Sequence, residues 1–259
     1  MRIATWNVNS LKARLPRVEE FLRYADVDVL CLQETKCSDK SFPALTFAEL
    51  GYESVHYGQG QWNGVAVLSR KGIATADHGF GDAYEDPYVG DARVLHAVSD
   101  DINFVSVYVP NGRQVGTEHY ERKLAWLDML HDWIAARFEP STPLVVLGDF
   151  NVAPEDRDVW DPKAFVGSTH VTEPERNAVR RLEEWGLVDT FRRCYEGVDG
   201  LYSYWDYRAG DFHQHRGMRI DLVLATPPVA DRVTWAVVDR NARKGTQPSD
   251  HAPVIVDLD

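Results

Sequence analysis

The sequence predicts a layered α/β domain, with residues 1–259 forming a single unit. Three observations point there. Short segments rich in Val, Ile and Leu recur as strand candidates. Helical patterns lie between only some of them. No linker, fixed-period repeat or low-complexity tract divides the 259 residues. Two mixed sheets packed face to face, with helices outside, would use this inventory.

Strands are expected at Arg2–Val8, Val27–Gln33, Gly64–Ser69, Arg93–Val98, Asn103–Val109, Pro143–Leu147, Arg219–Ala225, Val233–Asp239 and Pro253–Leu258. The clearest helix is Thr117–Phe138, where Tyr120, Leu124, Leu127, Ile134 and Phe138 repeat at helical spacing. A second starts at Thr172, with Glu175 completing a capping box and Pro174 in the first turn. It runs to about Trp185 and stops at Gly186. A third is expected at Leu15–Tyr24.

Hydrophobic residues make up 44% and aromatics 11%, which excludes a disordered chain. The formal charge of −12 argues at first against a nucleic-acid partner. The excess is concentrated, however. Residues 77–101 carry a net −6 and residues 149–175 a net −5, so the rest is nearly neutral. A basic strip is compatible with that distribution, and binding is expected to be modest and salt-sensitive, away from much of the 77–101 stretch. The start, Met1-Arg2-Ile3-Ala4-Thr5-Trp6, reads as a strand and not as a secretory leader. The longest apolar runs are too short to span a bilayer. Cys31, Cys37 and Cys194 are an odd count without metal-site spacing, and Cys31 is expected to be a buried thiol. A reducing cytoplasm and no membrane partner are the expectations.

Polar residues follow the apolar strands. Asn7-Val8-Asn9, Gln33-Glu34-Thr35-Lys36, Tyr108-Val109-Pro110-Asn111-Gly112 and Gly148-Asp149-Phe150-Asn151 do so, and Ser249-Asp250-His251 precedes the last strand. Asp221 lies within a strand, where an unpaired carboxylate is costly. Taken singly, each is an ordinary turn residue. If the strands share sheets, their ends converge. Oxygen ligands without thiolates suit a hard cation such as Mg²⁺. One histidine suits proton handling. Asn and Tyr can donate to an anionic oxygen. Together they fit phosphoester hydrolysis by an activated water.

The stretches Thr5-Trp6-Asn7-Val8-Asn9-Ser10-Leu11, Leu32-Gln33-Glu34-Thr35-Lys36, Tyr108-Val109-Pro110-Asn111-Gly112, Gly148-Asp149-Phe150-Asn151-Val152, Gly186-Leu187-Val188-Asp189-Thr190-Phe191-Arg192, Tyr204-Trp205-Asp206-Tyr207-Arg208, Arg219-Ile220-Asp221 and Ser249-Asp250-His251-Ala252-Pro253 occur in order along the whole chain. They resemble the successive signatures of the exonuclease III type of AP endonuclease. The wider superfamily includes deoxyribonuclease I, sphingomyelinases and inositol-phosphate phosphatases. The resemblance implies a four-layered α/β sandwich with the site at one end. It implies a Mg²⁺-dependent repair nuclease (Mn²⁺ as substitute), acting as a monomer on duplex DNA at abasic sites or 3′ ends.

It also implies roles. Glu34 is the principal metal ligand, with Asn9 nearby, where many relatives carry Asp, and Asp250 beside them. Asp149 orients or deprotonates the attacking water. Asn7 and Asn151 position water and phosphate. His251 contacts the phosphate, oriented by Asp221. Tyr108 and Asn111 donate to the phosphate, or Tyr108 assists the leaving group. Whether Asp149 or a histidine-based pair is the base stays open, as does the number of metals.

On the substrate side, Tyr204, Trp205, Met218 and Ile220 match positions near the pocket for a flipped abasic sugar. Ordinary core packing is the other reading of these four. Met218 stands where some relatives hold Trp, which loosens that pocket. Arg113 is expected to enter a groove, and Arg208, Arg216, Arg219, Arg240, Arg243 and Lys244 to meet phosphates or to be scattered solvated charges. His213-Gln214-His215 is read as a polar loop and not as a metal pair. His170 precedes the capped helix, where several relatives carry a small residue. Its imidazole is expected to crowd a flipped sugar and to favour 3′-end processing over internal incision. Two alternatives stand beside this reading: a phosphoesterase of the same fold acting on phospholipid or inositol phosphate, and a non-catalytic nucleic-acid-binding relative.

Overall fold

The computed structural model describes residues 1–259 throughout. Its strands are β1 (Arg2–Asn7), β2 (Val29–Gln33), β3 (Glu53–Tyr57), β4 (Val65–Ser69), β5 (Thr75–His78), β6 (Val94–Ser99), β7 (Ile102–Tyr108), β8 (Leu144–Asp149), β9 (Val188–Asp189), β10 (Asp221–Ala225), β11 (Val233–Val238) and β12 (Val254–Leu258). Its helices are α1 (Leu11–Ala25), α2 (Ala44–Glu49), α3 (Glu118–Arg137), α4 (Glu173–Trp185), α5 (Thr190–Cys194) and α6 (Pro227–Ala230). One six-stranded sheet runs β11-β12-β1-β2-β4-β3, and the other β5-β6-β7-β8-β10-β9. Each contains one parallel pair, β1 with β2 and β7 with β8, so both sheets are mixed. α1 and α3 make the two crossovers that parallel neighbours require.

Three apolar layers hold the sandwich. Ile3, Val29, Cys31, Val67, Phe104, Val145, Leu147, Val223 and Val256 pack between the sheets. Ala4, Trp6, Leu30 and Leu32 face outward against Val18, Phe21 and Leu22 of α1. Val105, Val146, Leu222 and Leu224 face Trp126, Leu130, Trp133 and Ile134 of α3 and Val179 and Leu182 of α4. The pattern follows from strand alternation, in which every second residue lines the same face. Each fully buried Val, Leu or Ile stabilises the fold by about 1.5–3 kcal/mol.

That alternation also carries polar residues inward at one end of the sandwich. Ile3 and Thr5 continue to Asn7, Val29 and Cys31 to Gln33, and Val145 and Leu147 to Asp149. Gln33 and Ser106 meet across the seam. Thr5 Oγ1 donates to Gln33 Oε1 at 3.1 Å, and Gln33 Nε2 donates to Ser106 Oγ at 3.1 Å.

Several expectations need correction. α1 starts at Leu11, not Leu15, and carries Pro16 inside it. The strand expected from Arg219 starts at Asp221. β3, β5, β9 and the short helices α2, α5 and α6 were not anticipated. β5 is exposed along its whole length and β9 has two residues, so neither offers an apolar pattern. The capping box at α4 is present, with Thr172 Oγ1 accepting from Glu175 N.

Candidate active site

The site lies where β1, β2, β7 and β8 end and β10 begins. Register brings its residues together. Asp149 stands opposite Tyr108 on one side and Asp221 on the other, and Asn7 stands opposite Gln33. Gly148 makes this approach possible. A Cβ there would meet the Val107 carbonyl oxygen at 1.9 Å, and its φ of 148° favours glycine.

Asp149 is 1% exposed. Its Oδ1 accepts from Asn151 N, and its Oδ2 from Asn7 Nδ2, both at 2.9 Å. Burial, reinforced by Asp221 and Glu34 and opposed by His251, pushes its carboxyl up to about 7. The same Asn7 nitrogen donates to Glu34 Oε1 at 2.9 Å. One amide therefore spans two acids from different sheets.

His251 is buried, with Nδ1 2.8 Å from Asp221 Oδ2 and Nε2 3.8 Å from Asp149 Oδ2. Burial alone would depress its basicity. The Asp221 and Asp149 carboxylates outweigh that and push it up to about 10. The imidazole is thus a cation at neutral pH. Its loop is pinned to β1: Ser249 Oγ donates to Asn7 O at 2.7 Å, and Trp6 Nε1 donates to His251 O at 3.1 Å. Ser203 Oγ accepts from Asp221 N at 3.1 Å and holds the other half of the pair.

Glu34, Asn9 and Asp250 form an oxygen-lined bay. Asn9 Nδ2 donates to Asp250 Oδ1 at 3.1 Å. The Lys36 ammonium sits in the bay, 2.6 Å from Glu34 Oε2 and 2.5 Å from Asn9 Oδ1. Burial would raise the Glu34 carboxyl, but Lys36 and Asn7 hold it below its ordinary value. The carboxylate oxygens of Glu34 and Asp250 and the Asn9 carbonyl oxygen, which already accommodate a positive charge, fit a hard cation. Asp149, Asp221 and His251 also bring ligand atoms within 4.8 Å of one another. With His251 Nδ1 already paired to Asp221 at 2.8 Å and Nε2 facing Asp149, that trio is well suited to moving protons.

Asn111 Nδ2 donates to Asn151 Oδ1 at 3.1 Å, and Asn151 Nδ2 donates to Val109 O at 2.9 Å. His170 Nε2 is 3.1 Å from Asn111 Nδ2 and 3.0 Å from Asn151 Oδ1. It can accept from the first or donate to the second. Burial and nearby Lys123 lower His170 to about 3, so it is neutral. Tyr108 is held well above its ordinary value, chiefly by burial, and stays a phenol able to donate.

Residues 4–251 match the profile of the Endonuclease/Exonuclease/phosphatase family. The chain belongs to that family. Its exonuclease III branch is the one indicated by relatives. An exodeoxyribonuclease of Bacillus subtilis is 30% identical, with 98% of each chain covered. An AP endonuclease from Archaeoglobus fulgidus superposes with a TM-score of 0.95 and 33% identity, covering 100% of this chain and 99% of that one. A 3′ phosphatase from Neisseria, bound to product DNA hairpin, gives 0.94 and 34%, covering 100% and 99%. Membership makes the chain a nuclease-type phosphoesterase.

The residues expected near a sugar pocket are less open than the sequence suggests. Trp205 is 0% exposed and presents no surface to a substrate. Its backbone N–H donates to Asp250 O at 2.9 Å, bracing the Ser249–His251 loop. Met218 and Ile220 are buried with Ala153 and Val159. Tyr204 is the partly exposed member, its ring 4.9 Å from that of His251. Arg219 is no phosphate ligand: it is buried between Asp158 and Asp189 at 2.7 Å each. Arg243 is buried too and donates to Ser249 O. Arg208 and Arg216 are paired with Asp206 and Asp211. Arg240 and Lys244 are exposed. Arg113 is exposed and lines a cleft of about 340 Å³ with Trp62, Tyr88, Asp91, Arg93 and Asn111. Asp91 brings part of the 77–101 acidic stretch to that cleft. His215 packs its ring 4.9 Å from that of Tyr202.

Sequence reasoning gave no role to Lys36, Gln33, Ser106 or Ser203. The inward register of Gln33 and Ser106 was the available signal for two of them. Lys123, described below, also went unassigned, and Glu175 was read only as part of a helix cap.

Proposed function

We propose that this chain is a Mg²⁺-dependent DNA-repair nuclease that hydrolyses phosphoesters 5′ to abasic sites and at 3′ ends of duplex DNA. The observation that carries the proposal is the buried Asp221–His251 pair facing Asp149 at 3.8 Å, beside the Glu34–Asn9–Asp250 bay. Asp149, titrating about 7, accepts the proton of the attacking water while Asn7 and the Asn151 N–H hold it in place. His251, protonated and oriented by Asp221, donates from Nε2 to the phosphate. Asn111, Asn151 and Tyr108 supply neutral donors to the same group. When bound by Glu34, with Asn9 and Asp250 beside it, Mg²⁺ (or Mn²⁺) supplies positive charge against the phosphate oxygens.

His170 favours 3′-end processing in this reading. Its ring stands against both Asn111 and Asn151, where a flipped internal sugar needs room. The likeness to the Neisseria 3′ phosphatase and to a 3′-5′ exonuclease from Neisseria meningitidis supports this emphasis. Action as a monomer belongs to the same reading, and three free cysteines suit a reducing cytoplasm.

Three duplexes test the proposal, each with and without chelator. They carry an internal abasic analogue, a recessed 3′-hydroxyl and a 3′-phosphate. Chelator-sensitive turnover is expected on all three, fastest at the 3′ ends. His170→Gly is expected to raise internal incision relative to 3′ processing. Hydrolysis of phospholipid or inositol phosphate without DNA turnover would overturn the assignment, and an unchanged ratio would remove His170 from it.

A further inference from the structure

A second charged pair lies beneath the site. Lys123 of α3 and Glu175 of α4 both have fully buried side chains, with Nζ 2.5 Å from Oε1. Lys123 Nζ also donates to the Asn151 carbonyl at 2.7 Å and the Asn111 carbonyl at 3.3 Å. Glu175 Oε1 accepts from Thr169 Oγ1 at 2.6 Å and from His170 N at 2.9 Å. Thr169 Oγ1 lies 3.1 Å from the Asn111 carbonyl. Helix capping accounts only for the bonds of Glu175 to Thr172. The remaining bonds all end on Asn111, Thr169, His170 or Asn151.

The turn is moulded on the lysine as well. A Cβ at Gly112 would meet Lys123 Cδ at 2.8 Å. A buried ion pair is on average no more stabilising than apolar residues of like volume. Stability therefore gives little reason for this pair, whereas its partners do.

We infer that Lys123 and Glu175 are positioning residues that fix Asn111, Asn151 and His170 as one rigid set for phosphate and sugar recognition. The inference rests on the roles proposed above for those three. Two loops from different strand ends, after β7 and β8, are tied through their main-chain carbonyls to one ammonium. The third, carrying His170, is tied to the carboxylate that neutralises it. Loss of the pair frees the two Asn amides to move relative to each other. A displacement of about 1 Å is enough to lower turnover about 100-fold.

The test compares wild type with Glu175→Gln, with Lys123→Met combined with Glu175→Gln, and with the milder Thr169→Val. Activity per folded molecule is measured on the 3′-phosphate duplex, and the Asn111 and Asn151 side-chain amides are followed by NMR. The expected result is kcat about 100-fold lower in the double variant and about tenfold lower in Thr169→Val, with KM within about threefold. Both amide signals should shift. A purely structural role would lower thermal stability while leaving kcat and the amides of the folded fraction unchanged, and that result overturns the inference. Should the charged-pair variants fail to fold, Thr169→Val decides alone. Wild-type protein without DNA turnover would sink the nuclease reading instead, and the amide shifts would still decide the positioning role.

Discussion

Asn7 reaches Glu34 and Asp149 with one side-chain nitrogen, and the geometry of the site depends on that sharing. An aspartate there would add a fourth carboxylate to Glu34, Asp149 and Asp221. Asp221 plays the complementary part by keeping His251 charged. Asp221→Asn is expected to lower kcat about 100-fold with little change in KM. It should also move the alkaline limb of the pH–rate profile down. His251 titrates about 10 because of Asp221, so losing that carboxylate lets the proton leave at lower pH. An alkaline limb that stays put would show that another group sets it. The acids and amides of this site were legible in the sequence because they end apolar strands. The fate of Trp205 and Arg219 was not. Their burial depends on packing against Arg243, Asp158 and Asp189, partners distant in sequence.

Strands and loops bring these residues into register. The long elements could be read directly, since α3 and α4 carry apolar stripes and α4 a capping box. β3 offers only Val55 and Tyr57 to the core between Glu53 and His56, and β5 is exposed along its whole length, so neither announces itself. At the start of β10, Arg219 links Asp158 and Asp189, and Arg192 adds a second cation on Asp158. Burial would raise the Asp158 carboxyl, but Arg219 and Arg192 prevail and hold it below its ordinary value. Its contribution to folding is therefore complete above about pH 4 and is lost as pH falls through the lowered value. Asp158→Asn should cost about 3 kcal/mol at neutral pH, with the gap to wild type narrowing in acid. Urea unfolding at pH 7 and pH 3 checks this. A gap that widens in acid would assign the acid limb to other carboxylates.

For the whole molecule, net charge misleads about the partner. Many bases are already paired with acids, whereas Lys12, Arg113, Arg240 and Lys244 have no carboxylate partner among the ion pairs of the chain. DNA affinity should fall with salt at a log–log slope of about −3. Fluorescence anisotropy across a salt series measures it, and a flat response would exclude phosphate contacts as the main source of affinity.

The hydrogen-bonded chain Thr5–Gln33–Ser106 crosses the seam just below the site. Asn7 belongs to one sheet and Asp149 to the other, so their 2.9 Å contact measures how far the sheets have slipped. The three side chains act as a dowel against that slip. Shear between the halves is resisted there before it can pull the Asp149 carboxylate away from the Asn7 amide.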